Sequence, residues 1–84
     1  MRPQEVLPDH VDEAEFNGVT IRKGSVGAFL ANARSLRDPA VADPARDVAL
    51  RDIEALLPAL RALGLFDVFE IRDAALRAFV AARP

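Results

Sequence analysis

Eighty-four residues, 51% hydrophobic and 29% charged, suffice for one folded domain with a thin core and not for two. A formal charge of −2 argues against a general nucleic-acid binder, because phosphate contacts need a surplus of Lys and Arg. With no Cys and a single His, disulfide staples are excluded and a structural zinc site nearly so, which makes the reducing cytoplasm the expected location.

No apolar run approaches the ~20 residues of a membrane span, and the first residues, with Pro3, Glu5, Pro8 and Asp9, lack the apolar stretch of a signal peptide. Lys23 is the single lysine beside many Arg and abundant Ala, a bias that fits a GC-rich bacterial genome. Residues 1–10 carry no periodic pattern and are expected to form a flexible arm ahead of one domain over 11–84.

Asn17-Gly18 between two apolar-containing runs predicts a β-hairpin over about 11–16 and 19–23, since a type I′ turn needs positive φ at both central residues. A two-residue turn there sets Phe16 opposite Val19, Glu15 opposite Thr20, Ala14 opposite Ile21, Glu13 opposite Arg22 and Asp12 opposite Lys23. One face is then apolar and the other polar, with opposite charges facing each other across the strands.

Ser25 is the expected N-cap of a helix over about 26–37, with Val26, Phe29, Leu30, Ala33 and Leu36 forming an apolar stripe and Arg34 and Arg37 near its end. Asp38-Pro39 stops it. Asp43-Pro44 starts a second helix over about 44–63 with a wide Leu-rich face, kinked or broken at Pro58 and closed by Gly64. Residues 65–71 fit two elements. Asp67 and Glu70 have capping-box spacing, while Val68-Phe69-Glu70-Ile71 suits a short third strand, which is the preferred reading over 68–71. A last helix over about 74–82, capped by Asp73, presents Leu76, Phe79 and Val80. The fold class is therefore α+β, a hairpin packed against helices.

Catalysis finds little to work with. Nucleophilic chemistry needs a base beside a Ser, Thr or Cys, and the hydroxyls are only Thr20, Ser25 and Ser35. His10 falls in the expected arm. No phosphate-loop or dinucleotide fingerprint is present, so the chain reads as a non-enzyme without cofactor or metal. The pointed local feature is Arg22, Lys23, Gly24, Ser25, Val26 and Gly27. A strand end, a glycine turn and a helix start bring free amides, a hydroxyl and two cations together, which is the recipe for an anion site. The structural alternative gives Ser25 a capping role alone and pairs Arg22 and Lys23 with Glu13 and Asp12. Arg34 and Arg37 lie at the wrong end of their helix for groove reading. Asn32, at the edge of the apolar stripe, is expected to bond a nearby carbonyl.

The run from Gly18 to Asn32, GVTIRKGSVGAFLAN, resembles a segment of short bacterial proteins of unknown function; the resemblance implies a bacterial, cytoplasmic origin and no activity. Five Phe and many Leu are hard to bury in so thin a domain, and spare apolar surface tends to become an interface. The expected function is a small non-catalytic interaction or regulatory module, binding a protein partner or a second copy of itself. The alternative is a binder of small anions or phosphometabolites at residues 22–27.

Overall fold

The computed structural model describes residues 13–84. The expected arm, strand residues 11–12 and the pairing of Asp12 with Lys23 lie outside the described residues.

Strands β1 (Glu13–Phe16) and β2 (Val19–Arg22) form an antiparallel hairpin in the expected register, from Glu13 opposite Arg22 to Phe16 opposite Val19. Asn17 at φ 49° and Gly18 at φ 78° supply the two positive dihedrals of the I′ turn. Along β2 the pattern alternates, with Ile21 buried and Thr20 and Arg22 exposed. The strand ends at Arg22, one residue short of expectation, because Lys23 and Gly24 form the turn into the first helix.

Helix α1 spans Ser25–Arg37. Its N-cap is Gly24, at φ 88°, rather than Ser25, which corrects the sequence reading. The left-handed backbone that glycine allows closes the strand–helix turn, and Ser25 becomes the first helical residue. Helix α2 (Asp43–Leu63) likewise begins one residue early, with Ala42 as N-cap and no side-chain cap. It runs without a break through Pro58. Leu57 and Leu60 are buried on either side of the proline and pin the helix to the core. Pro58 and Glu54 both lie on the exposed face, so water can serve the Glu54 carbonyl that has lost its donor.

Gly64 at φ 80° caps α2 as expected, but the chain then turns helical again in α3 (Leu65–Val68). The third strand over 68–71 is therefore not formed; the described sheet has two strands. Asp67 N–H donates to Gly64 O at 3.1 Å and Phe69 N–H to Leu65 O at 2.9 Å. The turn lets the neighbours Leu65 and Phe66 both pack on the core, whereas a strand would send them to opposite faces. Phe66 meets Phe29 edge-on, with ring centroids 5.8 Å apart. Phe69 does become extended, but without a strand partner among the described residues.

Helix α4 (Ala74–Ala81) is capped by Asp73, whose carboxylate accepts from Leu76 N–H at 2.9 Å. Phe29, Ile53, Leu57, Leu60, Leu76 and Val80 form the core, with α2 at its centre. Arg61 joins α2 to the end of α4. Its guanidinium donates to the carbonyls of Val80 (3.0 Å), Arg83 (2.8 Å) and Pro84.

Candidate functional site

The six residues singled out in the sequence do lie together at the junction of β2 and α1, but in unequal roles. The Arg22 side chain is largely exposed and pairs with Glu13 at 3.6 Å, an ion pair worth at most about 1 kcal/mol in water. The Ser25 hydroxyl is buried and donates to the Arg22 carbonyl at 2.7 Å, so it ties the turn to the helix instead of facing outward. Gly24 has no side chain to cap the helix, and its carbonyl accepts from Ala28 N–H at 2.8 Å. The amides of Ser25, Val26 and Gly27 belong to the first turn, which has no intrahelical acceptors. Val26 faces away from this junction, into an apolar groove. Asn32 donates to Ala28 O at 3.0 Å within its own helix, as the plainer reading of that residue expects.

The feature that the sequence did not disclose is that groove. The apolar stripe of α1 is wider than the core beneath it. Phe29 is buried, and Ala33 and Leu36 pack on the core, but Val26 is 37% exposed and Leu30 46%. Across from them Phe69 is 65% exposed, while its neighbour Val68, 79% exposed, lines a separate groove with Arg61, Arg77 and Val80. Three of the five large apolar side chains left exposed among the described residues, all but Val68 and the α2 residue Val48, thus line one face: Val26, Leu30 and Phe69. Between them runs a groove of about 330 Å³ walled by Val26, Leu30, Phe66 and Phe69. It continues past Phe29, Leu30 and Ile71 into a second groove of about 560 Å³, which ends among Arg37, Arg46 and Arg72.

The charges along this face are also ordered. Arg46 donates to Leu36 O at 2.7 Å, and Asp73 is engaged as the α4 cap. Glu70 pairs with Arg77 at 3.4 Å. Arg37, Arg72 and Asp67 are exposed, and none of them has an ion-pair partner among the described residues. The signal available in the sequence was the dipeptide Val68-Phe69 held between Asp67 and Glu70. Both apolar residues are large, and the flanking acids mark a segment at the surface.

Among the described residues no helix is long and apolar enough to cross a membrane. Comparison of the chain with protein-family models, with curated proteins and with solved structures found no match.

Proposed function

We propose that the chain is a small non-catalytic interaction module whose working surface is the apolar face made by α1 and residues 65–71. The observation that supports this reading is the convergence of the exposed Val26, Leu30 and Phe69 around a groove in a domain with little core to spare. Exposed apolar side chains scattered singly are ordinary; a contiguous set flanking a groove is the surface that a partner covers. Leu30→Gln and Phe69→Gln test it. Side chains reserved for a partner contribute little to the isolated fold, so both variants should melt within error of the parent. Sedimentation at tens of micromolar should show association of the parent that persists in high salt and is lost in both variants. If the variants unfold like core substitutions and the parent shows no association, the face belongs to the domain's own packing and the reading fails.

A second reading, a binder of small anions at residues 22–27, is favoured by one detail. The first turn of α1 has no side-chain cap, so its amides remain available to a phosphate or carboxylate near Arg22 and Lys23.

A further inference from the structure

The groove beside α1 is apolar at its Val26 end and basic at the other, where Arg37, Arg46 and Arg72 line it. The two acids that line it are engaged within the domain, Asp73 with Leu76 N–H and Glu70 with Arg77. A matching occupant is a narrow apolar segment that carries acid to the arginine end. Residues 1–12, which lie outside the described residues, have that composition, with Val6-Leu7 and Val11 set among Glu5, Asp9 and Asp12 against Arg2. We propose that residues 1–12 of the same chain occupy this groove as a strap, with Val6 and Leu7 on its apolar wall and Glu5 at Arg37 and Arg72. The inference rests on the interaction reading above and names what covers that face until a partner displaces it.

Where the segment begins supports this occupant. Glu13 lies opposite Arg22 and shares a surface hollow with Lys23 and Gly24, the N-cap of α1. The chain before Glu13 therefore departs from the Ser25 end of the helix that walls the groove. Direction supports it too. The hairpin tip is held at Ala62 near the end of α2, whereas the Gly24 end lies by Ala55, Leu56 and Ala59. From there α1 runs on to Leu36, beside Arg46. Both β1 traced backward and α1 traced forward thus head toward the start of α2, so a chain continuing back from Glu13 heads along α1 toward Arg37. Length is sufficient. At ~3.3 Å per extended residue the stretch from Asp12 back to Glu5 spans up to about 26 Å, more than the roughly 20 Å rise of α1 from Ser25 to Arg37. Pro3 and Pro8 lack the N–H that strand pairing needs, and their fixed φ suits a chain lying on the aromatic wall of Phe29, Phe69 and Phe79. Charge pairing of Glu5 with the arginine end fixes the direction of seating more than it adds affinity.

The test uses the whole chain. It has no Cys, so Gln4→Cys provides a single site for a nitroxide label. With the label active, the amide resonances of Ala33, Arg37, Ile71 and Arg72 should lose most of their intensity relative to the same sample after the nitroxide is reduced. Adding Glu5→Arg and Leu7→Asp to the labelled chain should return those signals, while the resonances of Leu57 and Leu60 keep their positions and report an intact core. Labelled chains mixed with unlabelled, isotope-enriched ones should leave the enriched chains sharp, because the strap is intramolecular. Broadening centred on Glu13, Lys23 and Gly24 would show a segment that is tethered there but not seated, and overturns the proposal. Broadening of the groove in the mixed sample assigns the groove to another copy's segment and overturns it as well. Sedimentation adds the consequence for binding. A face that is covered part of the time binds more weakly by the fraction of chains in which it is open, so the double variant Glu5→Arg, Leu7→Asp should associate several-fold more tightly than the parent. Association no tighter than the parent's overturns the strap as a cover for that face. None of these failures removes the interaction reading, which is decided separately by the parent's association and its loss in Leu30→Gln and Phe69→Gln.

Discussion

The side-chain amide of Asn17 donates to the carbonyl of Ala62 at 2.7 Å, tying the tip of the hairpin to the last turn of α2 across 45 residues of sequence. A two-stranded hairpin is barely stable alone in water. Its order here comes from that tie and from Ile21, which is buried where β2 packs against α2.

The turn and the tie separate by mutation. Gly18→Val should destabilise the domain by more than about 1 kcal/mol, since φ 78° is strained for any residue with a Cβ. A Cβ at Gly18 meets nothing within 4 Å, so the loss reports conformation and not collision. Asn17→Gly keeps the turn and removes only the bond to Ala62, for an expected loss of about 0.5–1 kcal/mol. Urea denaturation measures both, and an unchanged midpoint for Gly18→Val would reject the I′ assignment.

Pro58 offers a gain in stability. Because α2 is continuous and Pro58 is exposed, Pro58→Ala restores a missing N–H without disturbing packing. The expected stabilisation is about 1–3 kcal/mol, the range set by the cost of proline inside a helix. Thermal unfolding reads it directly. A lower melting temperature would mean that the proline's local geometry is needed by the buried Leu57 and Leu60.

Arg61→Met leaves the carbonyls of Val80, Arg83 and Pro84 without their shared donor. Loss of about 1–2 kcal/mol is expected, with faster amide hydrogen exchange confined to the last turn of α4. Arg61→Lys should not recover it, because a single ammonium lacks the planar fork that reaches several carbonyls at once. Full recovery by lysine would show that charge alone matters there.

Ser25 separates the turn from the anion reading. Ser25→Ala strips the donor from the Arg22 carbonyl and should cost about 1 kcal/mol whether or not phosphate is present. If an anion does bind at α1, millimolar phosphate at low ionic strength should move the amide resonances of residues 24–27, and Lys23→Ala should weaken the response. Resonances that stay in place remove that alternative.

What the sequence determined by itself is the local part of this protein. The I′ turn and its register follow from Asn17-Gly18 and a period of two, and the α4 cap follows from Asp73 three residues before Leu76. Gly64 could be read as a cap because only glycine accepts that backbone cheaply. Each of these depends on a few neighbouring residues, so the chain states it outright. The candidate anion residues were legible in the same local sense, although the inward turn of the Ser25 hydroxyl was not. Tertiary structure decided the rest. Val68-Phe69-Glu70-Ile71 has the composition of a strand, yet packing Leu65 and Phe66 together on the core outweighed that preference and made one turn of helix. Periodicity predicted an apolar stripe on α1 but could not say how much of it the domain would cover. Val26 and Leu30 stay exposed because α2 and α4 reach only Phe29, Ala33 and Leu36, and covered area is set by how distant segments meet, which no local pattern records.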